Sequence, residues 1–378
     1  MFWHIDNTII TIAIFVMTLF VHLFYAKYFL YKHWWHIVFF AIVAILLGTH
    51  GNINNYIFSV INIFPFLSFM FLKDEFKKCV FDSWRNVFSA IIAVSLVLYL
   101  LVTGGVNLPS FPDFYGDITD ADSYYLARNY IGLIQLVNAY SGDILDRFQS
   151  IFLEPGYLAC LIVMILFIDG YSFKERKSNI ILFIALILTF SLAGYFLCAV
   201  FYVVYMVKNS RHRYASVFGL FFVTISFLLL ASIYNGGDNQ INNRVISRLQ
   251  YDNDRGTIEG YNRTTQEFDE YFSNFMLSSD VLMGDAKGFE RNFAGEGANV
   301  GIKYYIVVYG MAGLLSYLLF LYSPFFRMTR KSYLALSFFV LWFIIFARGN
   351  YVMWMTAFLI TYIYGLISLN ENKKMKLI

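Results

Sequence analysis

The sequence predicts an all-α polytopic integral membrane protein of about 11 transmembrane helices with a large helical loop on the outer side. Three observations carry that expectation: the ratio of apolar to charged residues, a series of membrane-length apolar runs, and the one-sided placement of Lys and Arg. Apolar residues make up 59% of the 378 and charged residues only 14%, where a soluble globular chain carries roughly 25% charged. Mean hydropathy is +0.60. Aromatic residues reach 20%, with 42 Phe and 29 Tyr, a content suited to lipid-facing surfaces and interfacial belts. The net charge of +3 decides little, and no stretch has the clustered basic residues of a nucleic-acid patch.

Apolar runs of membrane length occupy 8–25, 34–50, 56–72, 87–103, 153–170, 214–233, 301–323, 332–347 and 351–369. The stretch 178–207 is flanked by Lys174, Arg176 and Lys177 on one side and by Lys208, Arg211 and Arg213 on the other. Short cytoplasmic loops are enriched in Lys and Arg, so two inside clusters require two crossings between them. The turn is expected near Thr189–Tyr195, with thin, tilted or broken helices around Gly194. The nine runs then become eleven passes, N-terminus outside and C-terminus inside, and eighteen of the 28 Lys and Arg fall in inside loops. Among these are Lys73, Lys77, Lys78 and Arg85. The opening MFWHIDNTII has no Lys or Arg before its apolar run, so a retained helix is expected there rather than a cleavable signal peptide.

The passes form a single membrane domain over 1–378 with two long outer segments, 104–152 and 234–300. The first is acidic and turn-rich, with Asp113, Asp117, Asp120 and Asp122. In the second, Ile241, Val245, Ile246 and Leu249 share one helical face, with Arg244 and Arg248 one turn apart. Thr264 and Glu267 have capping-box spacing, and Phe268, Tyr271, Phe272 and Phe275 follow as an aromatic stripe. Two amphipathic helices over the outer mouth of the bundle are therefore expected.

The cations that remain outside hold the chemical interest: Arg128, Arg147, Arg244, Arg248, Arg255, Arg263, Arg291 and Arg348, with Lys287 and Lys303. Arginine is always charged, and its planar fork matches phosphate oxygens in two-point contacts. Such residues beside an aromatic outer surface suit a lipid-linked phosphate or pyrophosphate, whose departure they would stabilise without a metal. Glu154, with its acidity lowered by partial burial, is the candidate base for an incoming hydroxyl. Plainer readings stand beside each. Arg147 and Glu154, seven residues and two helical turns apart, also suit a simple interfacial pair. Arg244 and Arg248 also serve to offset Asp238, Asp252 and Asp254; the stripe also serves as packing; Arg348 also snorkels to headgroups. The three cysteines have no CxxC partner and the six histidines avoid both outer segments, so no metal or cofactor is expected.

Three features in order resemble the O-antigen polymerase and O-antigen ligase superfamily: an arginine before an EP-type helix start (RFQSIFLEPGYLA), a T-x-S outer turn (LTFSLAGY), and a long loop that opens with arginines, contains LMGDAKG and re-enters as VVYGMAGLLSYLLF. The resemblance covers most of 147–325. It implies a GT-C-like helical fold in the bacterial inner membrane, outer loops in the periplasm, and transfer of glycans from undecaprenyl pyrophosphate without metal or nucleotide sugar. Carried over by position, Arg147 binds the pyrophosphate, Arg263 matches the loop arginine, and Arg255 is its neighbouring candidate. Arg147, Glu154 and Arg263 are thus the expected catalytic residues. Arg244, Arg248, Arg255, Arg291, Asn299, Lys303 and Arg348 are expected to hold substrate.

Two departures separate the members of that superfamily. Ligases carry a histidine just before the helix that closes the loop, where this chain has GEGANVGIKYY with Asn299. They also tend to carry an arginine after the serine of the T-x-S turn, where this chain has Leu192. Both favour a polymerase of lipid-linked repeat units, with a chain-length regulator as an implied partner. The alternatives are a ligase transferring polymer to lipid A-core and a lipid-linked oligosaccharide flippase. The flippase would need charges deep in two repeated halves, and no internal repeat is present.

Overall fold

In the computed structural model the described residues are 7–29, 64–109, 125–130, 133–138, 147–152, 154–209, 232–237, 251–252, 257–258, 265–293, 301–327, 332–348 and 356–371, with scattered single positions besides. The chain divides into two compact units, one over Asp82–Tyr261 and one made of Phe2–Phe81 with Asn262–Ile378. Helices dominate both, as the apolar runs predict. Among the described residues three helices are long and apolar enough to cross a membrane: Asp74–Thr103, Leu192–Asn209 and Gly301–Phe326.

In the first unit, α2 (Asp74–Thr103; α1 is Asn7–Phe24 in the second unit) supplies its residues from Asp82 onward. The hairpin β1 (Tyr125–Tyr130) and β2 (Leu133–Asn138) follows, then α3 (Pro155–Ile168), α4 (Ser178–Leu188) and α5 (Leu192–Asn209). Helix α3 is apolar on every side, and every residue but Tyr157 is buried. A helix with no polar stripe belongs in the interior, and α3 packs against both α4 and α5. Proline at its first position fits the helical φ and has no N–H to leave unpaired. Helix α4 turns one apolar face inward (Leu182, Ala185, Leu186) and the other outward (Ile180, Phe183, Ile184, Ile187). Its exposed face is thus as apolar as its buried one.

With 14 and 11 residues, α3 and α4 are about 21 and 16 Å long at about 1.5 Å per residue, short of a hydrocarbon core about 30 Å thick. The expected break in 178–207 therefore exists, but it falls at Thr189–Phe190–Ser191, where Phe190 takes φ +44°. Gly194 lies inside α5 rather than at the break. Its function is close approach: a Cβ there would stand 2.5 Å from the Cβ of Ala159 on α3.

The hairpin departs from the all-helical expectation. Its register runs from Tyr125 opposite Asn138 to Tyr130 opposite Leu133. The sequence between, Ile131-Gly132, has the glycine that tight hairpin connections use. The shorter ladder β3 (Tyr251–Asp252) with β4 (Thr257–Ile258) lies within 234–300. Apart from single positions, the expected helix over 241–249 lies outside the described residues.

The second unit holds α1, the helical stretch 64–71, α6 (Gln266–Phe275), α7 (Ala286–Phe293), α8 (Gly301–Tyr322), α9 (Tyr333–Arg348) and α10 (Thr356–Glu371). Its centre is aromatic. Trp342 of α9 stacks on Tyr362 of α10 with ring centroids 5.0 Å apart, and the Tyr362 hydroxyl donates to the Leu321 carbonyl at 3.2 Å. Phe81 stacks on Tyr364 at 4.2 Å.

Gly194→Val is expected to lower the unfolding midpoint of the detergent-solubilised protein, because the branched side chain meets Ala159 and overpacking costs about 1–3 kcal/mol. Phe196, two positions further along α5, is exposed, so Phe196→Ala serves as the near-neutral control. An unchanged midpoint for Gly194→Val would remove the close α3–α5 contact.

Candidate functional site

Helix α4 ends where the chain approaches α3, and its last carbonyls have no partner within the helix. Two groups from the preceding segment meet them. The Phe148 N–H donates to the Leu188 carbonyl at 2.9 Å, and Arg147 Nε donates to the Thr189 carbonyl at 3.1 Å. A guanidinium at a helix C-terminus also meets the negative end of the helix dipole. Phe148 anchors this strap, with its ring fully buried edge-on to Tyr99 of α2 at 5.4 Å.

The T-x-S residues serve the same turn. Thr189 Oγ1 donates to the Leu186 carbonyl at 2.7 Å and accepts from the Ser191 N–H at 3.3 Å. Ser191 Oγ accepts from the Gly194 N–H at 3.2 Å, which caps the first turn of α5. The Tyr195 hydroxyl donates to the Ile187 carbonyl. The arginine motif and the T-x-S motif, 42 residues apart, are thus joined directly by hydrogen bonds.

Arg147 is half-buried and precedes the helix instead of lying on one of its turns, so the two-turn spacing to Glu154 does not apply. Ser150 takes φ +52° on the way, and its Oγ lies 2.8 Å from that of Ser95 on α2. Glu154 is the N-cap residue of α3, extended in backbone and half-buried, with no side-chain capping bond. Between them Gln149 is 1% exposed, and its Nε2 has no hydrogen-bond partner among the described residues. A buried amide donor without a partner costs about 1–3 kcal/mol, so this position calls for a polar neighbour. Sequence patterns missed Gln149, Ser95 and Ser150, because nothing in their spacing separates them from ordinary turn and helix residues.

A second arrangement joins LMGDAKG to VVYGMAGLL. Helix α8 breaks at Gly310, with φ 70° and ψ 177°. In an unbroken helix Ala312 would donate to Val308 and Val307 would accept from Met311. Here the Ala312 N–H donates to the Leu282 carbonyl at 3.0 Å and the Val307 carbonyl accepts from the Asp285 N–H at 2.7 Å. Gly284, at φ +86°, permits the approach: a Cβ there would be 2.4 Å from the Val308 oxygen, and one at Gly310 would be 2.3 Å from the Leu282 oxygen. Asp285 then caps α7 by accepting from the Gly288 N–H at 2.8 Å.

Around this clasp the loop helices pack by aromatic contact. Thr265, one position after the expected capping residue, is the N-cap of α6 and accepts from the Phe268 N–H at 3.3 Å. Glu267 therefore falls a position short of the reciprocal capping role. Phe268 is fully buried against Phe289 and Phe293 of α7, and Phe275 is buried too. The stripe is thus packing at those two positions. Burial and the nearby Asp285 push the Tyr271 phenol above its ordinary value, so it stays neutral. Lys303, expected to hold substrate, pairs with Asp269 at 2.7 Å and lies over the Phe272 ring at 5.5 Å. Arg291 is exposed on α7, and Arg348 ends α9. Arg244, Arg248, Arg255, Arg263 and Asn299 lie outside the described residues.

At the opposite end of α3, Asp169 is buried, its side chain 2% exposed, and contacts Arg85 at 3.2 Å and Arg176. Two cations first noted as inside-loop charges therefore close the far end of the same helix. Among the described residues no cluster of three or more His, Cys, Asp or Glu is placed to hold a metal ion. The chain matches no known family, no curated protein and no solved structure.

Gly284→Ala is expected to destabilise the protein by about 2–4 kcal/mol, from left-handed strain and backbone overlap together. Asp269→Ala breaks a pair that is about a third exposed on each side and is expected to cost at most about 1 kcal/mol. Thermal unfolding of both variants checks the ordering. Asp169→Ala takes from Arg85 its buried carboxylate and leaves beside it Asp82, whose side chain is 33% exposed. About 3–5 kcal/mol is expected to be lost, read as a collapse in recovered folded protein.

Proposed function

We propose that the protein is a polysaccharide polymerase that joins undecaprenyl-pyrophosphate-linked oligosaccharide repeat units at the outer face of the bacterial inner membrane. The observation that carries this reading is the hydrogen bond from Arg147 to Thr189. It brings together two motifs whose order and spacing resemble the O-antigen polymerase and ligase superfamily. The clasp between Gly284 and Gly310 joins the two parts of the third. The eleven-pass, GT-C-like topology with the N-terminus outside and the C-terminus inside belongs to the same proposal.

In the proposed reaction a hydroxyl of the acceptor's terminal sugar attacks C1 of the donor glycan. The new C1–O bond forms on the face opposite the leaving group, the C1–O bond to pyrophosphate breaks, and the anomeric centre inverts. Undecaprenyl pyrophosphate departs with the bonding electrons, and the hydroxyl proton passes to Glu154. Arg147, with Arg255 or Arg263, stabilises the departing charge. Backbone bonding through Nε orients the guanidinium in advance, and an already oriented cation stabilises developing charge without reorganising. Asn299 in place of a histidine and Leu192 in place of an arginine favour polymerase over ligase.

The test is a polysaccharide gel from a strain lacking this gene, complemented with the native chain, Arg147→Ala or Arg147→Lys. The ladder should collapse to core plus a single repeat in the deletion and return with the native chain. Arg147→Ala, at equal membrane protein level, should lose about 10²–10³ in rate, the usual loss for one such donor. Arg147→Lys should fail as well, because lysine has no Nε–H to hold its charge in place. Loss of the single-repeat band with accumulation of lipid-linked polymer would identify a ligase instead. An unchanged ladder would end the proposal.

A further inference from the structure

The loop between α6 and α7 carries an apolar surface that the packing of α6 on α7 leaves uncovered. Leu277 is 88% exposed, Leu282 59%, Met283 45% and Met276 41%. Four large apolar side chains exposed within eight residues form a patch that a water-facing loop seldom carries. The loop is also internally hydrogen-bonded. Ser278 caps the turn at Asp280 with its side chain, and the clasp to α8 follows directly.

The clasp sets the height of this loop. Leu282 accepts from the Ala312 N–H, and Ala312 lies within Gly301–Phe326, one of the helices long and apolar enough to cross a membrane. Less than one turn past Ala312, Leu315 is 55% exposed, and one turn further Leu319 is 45% exposed. The loop is thus bonded directly to a membrane-length helix that carries exposed apolar side chains within two turns of the bond. The exposed Ser279 and Asp280 limit how deep it can go. A charged side chain next to four apolar ones suits the boundary between headgroups and acyl chains, where apolar groups bury about 5–10 Å.

We infer that residues 276–283 form a wedge that inserts into the membrane interface, with Met276, Leu277, Leu282 and Met283 among phospholipid acyl chains and Asp280 among the headgroups. Part of the backbone there is paired within the chain, which apolar surroundings favour: the Gly284 N–H reaches the Asp280 carbonyl at 2.6 Å and the Met283 N–H reaches it at 3.1 Å. The wedge ties α6 and α7 to the bilayer independently of any reaction, so it stands or falls apart from the polymerase proposal.

The full chain, reconstituted in phosphatidylcholine–phosphatidylglycerol vesicles that contain a phospholipid with a diazirine in its acyl chain, is irradiated and digested, and the lipid adducts are mapped by mass spectrometry. Adducts are expected on 276–283 as on the Leu315–Leu319 segment, at least about tenfold above those on the exposed Glu270, Ser273 and Asn274 of α6, because acyl chains reach only what is buried in the interface. In parallel, Leu277→Cys and Glu270→Cys are treated in the same vesicles with a charged, water-soluble maleimide. Glu270→Cys should react at least about tenfold faster, since the charged reagent does not enter the acyl region. Fast labelling of Leu277→Cys without lipid adducts would place the loop in water. Neither labelling nor adducts would mean that another part of the protein covers it. Either result overturns the wedge.

Discussion

A backbone in apolar surroundings must have every N–H and C=O paired, because no water is present to take up what the chain leaves over. This chain repeatedly creates such leftovers. Helix α4 stops after 11 residues, and α8 breaks at Gly310. At each place a segment remote in sequence supplies the missing partner. Phe148 and Arg147 meet the carbonyls at the end of α4, and Leu282 and Asp285 meet the groups freed by the break in α8. The positions of the strap before α3 and of the loop before α7 follow from these bonds.

The pairing gives Arg147 a structural duty that its type alone does not reveal. A charged side chain whose Nε is held by a helix-end carbonyl is oriented before any ligand arrives, and the helix dipole favours its charge. Thr189 and Ser191, in contrast, spend their hydroxyls on closing one helix and opening the next. They shape the turn that receives the arginine. The buried Gln149 amide, two residues on, shares the strap.

Several expectations met a local competitor. The capping residue of α6 is Thr265, not Thr264, because two adjacent threonines offer the same chemistry and only the packed position of Phe268 chooses between them. Lys303 belongs to Asp269 because α6 lies against the start of α8, a neighbour 34 residues away that no local pattern shows. The β1–β2 hairpin lies in a segment with a polar, turn-rich beginning, and neither YLARNY nor LIQLVN alternates strictly between apolar and polar residues, so the strands carry no period-two signal.

Composition, hydropathy and charge placement by themselves determined a helical chain with membrane-type helices, and a break within 178–207, since these depend on local side-chain chemistry and on the rise of a helix. The residues of the three motifs could be read in order. Tertiary structure alone decided that Arg147 bonds to Thr189, that Gly284 and Gly310 interlock, and that Asp169 gathers Arg85 and Arg176 at the far end of α3. Each is a pairing between distant segments, decided by which unsatisfied group lies within reach once the helices have packed, and that distance is not written in any local stretch of the chain.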